Sequence, residues 1–451
     1  MYLLYSLLLT VGMIALTPLF VIDAVRTRKY ITGLGQRLGR LPRINAHGRP
    51  LIWLHCVSVG ETTAARTLVQ ALADRFPSYR LVISTTTITG HRVGDNLFGN
   101  KAAAIFYFPI DWAWTVRRVL RKLQPEAVLI METELWPRLF HECRARAIPV
   151  VLLNGRISPK SFRRYKWVRP FISRVLDDLS VALMQSEADA ERILQLGMLG
   201  ERVMRPGNLK FDSAQTAMND DVTHMIRRRF AFDGSQPLIV AASTHAPEER
   251  ILLEAFKRVK NSGINARLLI APRHPERFGE VASLLQESDL TWSRRSGESR
   301  ASDASCELVL LDTVGELRAT YSLADIAFVG GSIAPHGGHN VLEPAALGLC
   351  VITGPHTENF AAVTKALLSE ESIVQLPNLP ASEISAELAD VLSRLLSDES
   401  RRREIGRRAQ AVCTHNTGAT ERTIEVIAQI LEKLPGRQSL PLSSLHATAA
   451  K

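Results

Sequence analysis

The chain has 451 residues, a length at which two domains are the usual expectation, because one hydrophobic core rarely serves so many residues. Hydrophobic residues make up 46% of it, which excludes a disordered chain, and the net charge of +10 suits nucleic acid, a membrane surface or an acidic substrate. The five cysteines are scattered without a CxxC pair, which excludes a disulfide framework and a cysteine-rich zinc site.

The first 22 residues predict a membrane anchor helix. Residues 2–22 carry no charged side chain, and at the helical rise they span about 31 Å, enough to cross a bilayer core. Seven Lys or Arg residues against one acid follow between positions 23 and 50, and this excess predicts that the flank is cytoplasmic. A helix lying on the membrane surface is the alternative to a spanning one.

Short apolar runs then alternate with amphipathic stretches, the pattern of a doubly wound α/β fold. Seven runs predict strands in the first half, at 51–57, 81–84, 104–108, 127–131, 149–153, 181–184 and 203–205. Five more predict a second sheet, at 238–242, 267–271, 308–311, 326–329 and 351–353. In such sheets ligands bind at the carboxyl ends of the strands, so the residues that follow each run are the candidates for chemistry.

These runs predict two Rossmann-like domains, both of the α/β class. The boundaries are an anchor at 1–22, an N-terminal domain at 23–211, a polar linker at 212–233, a C-terminal domain at 234–435 and a mobile tail at 436–451. The last part of the C-terminal domain is predicted to be helical, at 382–396, 400–412 and 419–434.

An acid, Glu61, follows the first predicted strand and lies in the first turn of the next helix. One interpretation is structural, since a carboxylate there interacts favourably with the helix dipole, by about 0.3–1 kcal/mol. The other is a general base that takes a proton from an attacking hydroxyl, which requires burial to raise its pKa. The residues alone leave both interpretations open.

Two further acids, Glu132 and Glu134, come directly after the fourth predicted strand. Charged groups in that position are normally solvated or paired, so one of them is expected to hold a sugar hydroxyl or a cation. Lys210, after the last strand of this half, is a candidate for that cation and for stabilising an anionic leaving group. A surface lysine near the linker is the alternative.

The glycine-rich segment from Gly330 to Glu343 follows a predicted strand and leads into a helix. Its backbone N–H groups would suit a phosphate, and Glu343 would accept hydrogen bonds from ribose hydroxyls. A tight strand-to-helix turn is the alternative, because short glycine motifs are common. Arg273 and Gly315 follow two other strands of this half, so together these segments predict a nucleotide pocket.

A basic segment lies between positions 156 and 174, where seven cations are interleaved with aromatic residues and no acid occurs. Beside a membrane anchor this composition suits lipid head groups or the phosphates of a lipid substrate, although a solvated basic helix face is equally compatible. No nucleic-acid-binding signature accompanies the charge, and no metal-binding motif is found, so neither nucleic acid nor a metal is expected. The residues expected to contact the acceptor or the membrane are Arg156, Lys160, Arg163, Arg164 and Lys166.

Six motifs together resemble the 3-deoxy-D-manno-octulosonic acid (Kdo) transferases of Gram-negative bacteria. They are SVGE at 58–61, METELWP at 131–137, KFD at 210–212, PRHPERF at 272–278, GGHN at 337–340 with LE at 342–343, and GPHT at 354–357 with NF at 359–360. Val341 departs from the family, in which proline is frequent at this place. The resemblance covers most of the chain. It implies the GT-B fold, in which two Rossmann-like domains face a central cleft.

The resemblance also implies transfer of Kdo from CMP-Kdo to the lipid A precursor, lipid IVA, at the cytoplasmic face of the inner membrane and with no metal or other cofactor. It assigns the general base to Glu61 and support of the transition state to Glu132 and Lys210. The residues that it assigns to CMP are Pro272, Arg273, Val314, Gly315, Glu316, Asn340, Val341, Leu342 and Glu343.

Two other functions remain compatible with the sequence. One is a GT-B transferase that uses a UDP-sugar on a lipid-linked acceptor. The other is a membrane-anchored polyanion-binding module, which the acids at the strand ends disfavour because they weaken polyanion binding.

Overall fold

The computed structural model describes residues 1–27, 32–132, 134–214 and 220–434, without the side chains of 17–27 and 381. The chain forms two compact units. The first comprises Met1–Ser213 together with the C-terminal segment from Thr417, and the second comprises Ala214–Asn416.

The first unit is built on a parallel sheet of seven strands in the order β3-β2-β1-β4-β5-β6-β7. Its strands are β1 Leu51–Cys56, β2 Arg80–Thr85, β3 Ala102–Tyr107, β4 Ala127–Met131, β5 Val150–Gly155, β6 Val181–Met184 and β7 Val203–Met204. Its helices up to Ser213 are α1 Tyr2–Thr27, α2 Leu34–Arg37, α3 Val59–Ala64, α4 Arg66–Arg75, α5 Ile88–Phe98, α6 Ala113–Leu123, α7 Pro137–Arg144, α8 Pro159–Trp167, α9 Arg169–Leu176, α10 Glu187–Gln195 and α11 Leu209–Ser213.

The second unit has its own seven-stranded parallel sheet, in the order β10-β11-β9-β8-β12-β13-β14. Its strands are β8 Leu238–Thr244, β9 Arg267–Pro272, β10 Trp292–Arg294, β11 Leu308–Leu310, β12 Ile326–Val329, β13 Cys350–Thr353 and β14 Val374–Gln375. Its helices are α12 Asp220–Phe230, α13 Glu248–Asn261, α14 Phe278–Gln286, α15 Leu317–Tyr321, α16 Leu342–Ala346, α17 Ala361–Ser369, α18 Ala381–Ser397 and α19 Glu399–His415.

Both sheets are buried on their two faces, which explains why their strands read as continuous apolar runs. In β1, Trp53 packs on one face with Phe106, whereas Ile52 and Leu54 pack on the other. The predicted strands are confirmed. Two short strands at the sheet edges were missed, β10 and β14, because three and two residues are too few to show a period.

The linker predicted at 212–233 is wrong over much of its length. Residues 220–230 form helix α12, which belongs to the second unit and buries Ile226 and Phe230 against that unit's sheet. The segment looked like a linker because its other residues are mainly polar. Residues 215–219 lie outside the part of the chain that is described.

The last helix, α20 (Ala419–Glu432), was predicted for the C-terminal domain but belongs to the first unit. It buries Ile424 and Ile427 in the core on one face of the first sheet. Asp212 accepts hydrogen bonds from Gly418 N at 2.8 Å and Thr420 N at 2.5 Å, so a residue far away in sequence caps this helix. The sequence did not reveal that the chain returns to the first unit after α19, because α20 directly follows the helices of the second unit.

At the N-terminus, α1 continues beyond the predicted end of the anchor to Thr27. Its first turns pack on the first unit, where the Tyr2 ring stacks on His141 at 4.2 Å and the Tyr5 hydroxyl donates to Asp111 at 3.0 Å. The described residues include no helix that is long and apolar enough to cross a membrane. The tail predicted at 436–451 lies outside them.

Candidate active site

Glu61 lies in the first turn of α3, directly after β1, and is only 6% exposed. Its carboxylate accepts hydrogen bonds from Val57 N at 2.7 Å and from the Ser58 hydroxyl at 3.0 Å. Burial and the charge of Glu132 raise the pKa of Glu61 to about 8, against the effect of those two hydrogen bonds. Both interpretations of this acid therefore have support: it is held at a helix start, and it has the pKa of a base that works near neutrality.

Glu132 follows β4, the neighbour of β1 in the sheet, and forms an ion pair with Lys210. The Lys210 Nζ atom lies 3.0 Å from Glu132 Oε1, and both side chains are largely buried. Glu134 is half-buried, and burial followed by the charge of Glu132 raises its pKa. The prediction that one acid holds a cation is confirmed. The first unit thus brings Glu61, Glu132 and Lys210 to the carboxyl edge of one sheet.

Backbone strain marks this edge. Glu132 has φ 54° and Asn154, at the end of the adjacent strand β5, has φ 51°, values that non-glycine residues adopt rarely. The Asn154 side chain accepts a hydrogen bond from Leu209 N at 3.1 Å, next to Lys210, and so helps to position that lysine. Sequence reasoning missed Asn154, although its place after a buried strand was the available signal.

In the second unit, the glycine-rich loop after β12 already holds an anion of its own. Gly331 N donates to Glu248 Oε2 at 2.7 Å, and three successive N–H groups donate to Oε1 at 2.8 to 3.2 Å. His245 N donates to Oε2 as well, at 2.9 Å, and Glu248 is fully buried. These four N–H groups of the loop are therefore not available to a phosphate, because a carboxylate occupies them. A phosphate at the rest of the glycine-rich segment stays a prediction. The residues that supply the three successive N–H groups are Ser332, Ile333 and Ala334.

Sequence reasoning missed Glu248. The signal was present, because Glu248 and Glu249 are adjacent acids just after a strand, as Glu132 and Glu134 are in the first unit. Glu249 is equally buried, where it accepts from Thr244 Oγ1 at 2.8 Å and pairs with Arg277 at 2.7 Å.

The segment from Asn340 to Glu343 forms the entry to α16. The Asn340 side chain accepts from Leu342 N at 3.1 Å and donates to Glu343 Oε1 at 3.0 Å, which fixes the Glu343 carboxylate at the helix start. Val341 and Leu342 are at most 1% exposed, so their side chains belong to the core. Their contribution to a nucleotide site is limited to the backbone.

The other predicted nucleotide contacts lie at the ends of β9 and β11. Pro272 is buried as the last residue of β9, whereas Arg273 is exposed. After β11, Val314 is 81% exposed and Gly315 has φ 93°, a conformation that favours glycine. Glu316 pairs with Arg295 at 2.9 Å, so its carboxylate already has a partner.

The predicted acceptor or membrane contacts lie on or beside α8, which has no buried residue. Arg156 is half-buried just before this helix, and the other four are exposed. Lys166 lies over the Phe162 ring at 4.8 Å, and Trp167, at the end of the helix, is 90% exposed. The four exposed basic residues of α8 are Lys160, Arg163, Arg164 and Lys166. Within the described chain, no group of three or more His, Cys, Asp or Glu residues is arranged to hold a metal ion.

Comparison with known proteins decides the family. Residues 32–213 match the family model described as 3-deoxy-D-manno-octulosonic-acid transferase. The chain is 32% identical over 415 residues to the 3-deoxy-D-manno-octulosonic acid transferase of Haemophilus influenzae, covering 91% of this chain and 94% of that protein. The 3-deoxy-D-manno-octulosonic acid transferase of Bordetella pertussis is 34% identical to this chain over 386 residues, which cover 83% of this chain and 86% of that protein. This chain belongs to the Kdo transferase family.

A solved structure with a similar fold is the UDP-GlcNAc 2-epimerase of Neisseria meningitidis, with a TM-score of 0.57 and 11% identity over 84% of this chain and 100% of that one. At this identity the likeness concerns the fold alone, and it agrees with two Rossmann-like units of the GT-B class. Family membership makes the chain an enzyme that transfers a sugar. It rules out the alternative of a non-catalytic polyanion-binding module.

Proposed function

We propose that this protein transfers Kdo from CMP-Kdo to the lipid A precursor, lipid IVA, in lipopolysaccharide core biosynthesis, by a metal-independent reaction. The family supports Kdo as the transferred group. The single observation that carries the mechanism is the environment of Glu61, a nearly buried carboxylate with its pKa raised to about 8 at the carboxyl edge of a parallel sheet.

Glu61 acts as the general base. It takes the proton of an acceptor hydroxyl while the hydroxyl oxygen forms a bond to the anomeric carbon of Kdo. The bond from that carbon to the phosphate oxygen breaks, and CMP leaves with the electron pair. The hydrogen bonds from Val57 N and Ser58 fix the carboxylate for this transfer, so that it does not have to be oriented during the reaction.

The ion pair of Lys210 with Glu132 supports the transition state. It holds a cation at the same sheet edge as the base, where fixed charges are more effective than solvated ones. The carboxylate of Glu132 also acts on Glu61, since its charge contributes to the raised pKa of the base.

The second unit binds CMP through the ends of β9, β11 and β12. Arg273 offers its guanidinium to the phosphate, and Glu343, held by Asn340, offers its second carboxylate oxygen to the ribose. The exposed Val314 beside Gly315 provides an apolar surface and a backbone edge for the base.

Two surfaces of the first unit support a lipid acceptor and a place at the cytoplasmic face of the inner membrane. Helix α8 presents exposed basic residues, which attract anionic head groups, and ends in the exposed Trp167. Helix α1 presents an apolar face, which suits a monotopic helix lying on the membrane surface. The exposed large apolar residues among the described side chains of α1 are Leu3, Leu4, Leu7, Leu8, Val11, Ile14 and Leu16.

The test is incubation of the full chain with CMP-Kdo and lipid IVA, followed by mass spectrometry of the lipid. We expect the lipid to gain the mass of Kdo. The matched control is Glu61→Gln, which keeps the shape of the side chain and is expected to bind CMP normally while transferring no Kdo. Failure of the wild-type chain to modify the lipid while it binds CMP would refute the acceptor, and normal turnover by the variant would remove Glu61 from the mechanism.

A further inference from the structure

Four histidines of the second unit converge at the carboxyl ends of its central strands. His245 follows β8, His274 follows β9, and His336 and His339 lie in the loop after β12. The ring of His245 stacks on that of His336 with centroids 4.2 Å apart, and it lies 5.1 Å from both other rings. We call these four residues the imidazole cluster.

The His245 and His339 Nε2 atoms are 2.8 Å apart, a hydrogen-bonding distance. One ring must donate and the other must accept, because two protons do not fit between the two nitrogens. Burial lowers the pKa of His245 to about 4 and that of His339 to about 3, helped by His336 and Arg273 respectively. Without a ligand, this pair is therefore neutral.

The acidic groups that face the cluster already have partners. Glu248 accepts five backbone N–H groups, and Glu249 is paired with Arg277 and bonded to Thr244. The Glu276 Oε1 atom lies 3.6 Å from His274 Nδ1, and the Glu276 side chain is exposed. Among these acids, Glu276 alone pairs with a ring of the cluster, and that ring is the exposed His274, whereas Glu248 and Glu249 have other partners.

The cluster is also accessible. His245 is buried, His339 is half-buried, and His336 and His274 are exposed. A solute can therefore reach the cluster through the two exposed rings. A small anion that reaches the exposed rings would supply the counter-charge that the buried pair lacks, and this would favour protonation of the cluster.

We propose that the imidazole cluster is the subsite that binds the carboxylate of the donor's sugar acid. This inference rests on the proposed function, in which the donor is CMP-Kdo. That donor carries two anionic groups at its anomeric carbon, the phosphate and the sugar carboxylate. Glu248 occupies the N–H groups of residues 331–334, and the cationic or protonatable side chains at these strand ends include Arg273 and the imidazoles. In this proposal Arg273 meets the phosphate and the imidazoles meet the carboxylate. The cluster then discriminates an acidic sugar from a neutral one.

The test is titration calorimetry of the full chain with CMP and with CMP-Kdo, in the absence of acceptor. We expect His339→Gln and His336→Gln each to weaken CMP-Kdo binding at least tenfold, while CMP binding changes less than threefold. The matched control is His224→Gln, which removes an exposed histidine on α12 and is expected to leave both affinities unchanged. In two buffers of different ionisation enthalpy, CMP-Kdo binding should take up a proton and CMP binding should not.

The outcomes separate the two proposals. A wild-type chain that binds neither CMP nor CMP-Kdo contradicts the proposed function itself. If the wild-type chain binds CMP normally but the two histidine variants lose affinity equally for CMP and CMP-Kdo, the carboxylate subsite is overturned. The same holds if the variants lose affinity for neither ligand. His336 has an exposed ring, so its variant tests the subsite even if His339→Gln disturbs folding, and unchanged CMP affinity reports an intact unit.

Discussion

Replacing Glu248 by Gln is expected to destabilise the second unit strongly. The glutamine keeps the shape of the side chain but turns one acceptor oxygen into an NH₂ donor. If that nitrogen takes the place of Oε2, the N–H groups of His245 and Gly331 lose their acceptor, and if it takes the place of Oε1, three N–H groups do. Each orphaned buried donor costs about 1–3 kcal/mol, so even the better orientation costs about 2–6 kcal/mol.

The assay is chemical denaturation or scanning calorimetry of the full chain beside a matched control, Glu254→Gln. Residue 254 lies on the same helix, α13, but is exposed, so the same change of charge there is expected to alter the free energy of unfolding by less than about 0.5 kcal/mol. A loss below about 1 kcal/mol for Glu248→Gln would refute the reasoning, because it would mean that the loop amides find other acceptors.

Three further perturbations test the first unit. Glu132→Gln removes a charge that raises the pKa of Glu61, so the rise of kcat/KM with pH, expected near pH 8 because the base must be ionised, should move to lower pH. Lys210→Gln leaves Glu132 without its cation, and we expect that rise to move to higher pH, with kcat roughly 10²-fold lower in the same pH–rate measurements. Asp212→Ala removes the acceptor for two N–H groups at the start of α20 and should cost about 0.5–2 kcal/mol by denaturant unfolding, whereas a cost near zero would show that the cap is dispensable.

The sequence was sufficient to predict the two sheets because their central strands are buried on both faces. A strand such as β4, Ala-Val-Leu-Ile-Met, has no exposed face and therefore reads as a continuous apolar run. The acids after it could be identified as chemically significant for the same reason, since a charged group at the end of a buried strand needs a partner. Lys210 was named as that partner, and the 3.0 Å ion pair confirms the pairing.

What could not be predicted depends on contacts between residues distant in sequence. The glycine-rich loop has the composition of an anion-binding turn, and it does bind an anion, but nothing in its own residues says that the anion is Glu248. In the same way, α20 has an ordinary amphipathic pattern. Its own residues do not reveal that it packs on the core of the first unit or that Asp212 caps it. The imidazole cluster escaped notice because its members come from three separate strand ends.

The two units use their acids in opposite ways, and this difference follows from where each acid has its partner. In the first unit burial raises the pKa of Glu61, and the charges of Glu132 and Glu134 at the same sheet edge raise it further, although Lys210 pairs with Glu132. In the second unit Glu248 accepts five backbone N–H groups and Glu249 pairs with Arg277, while imidazoles and the Arg273 guanidinium are exposed at the same strand ends. Under the proposed function, an anionic donor would find its counter-charges on the second unit, and the acceptor's proton would find its base on the first.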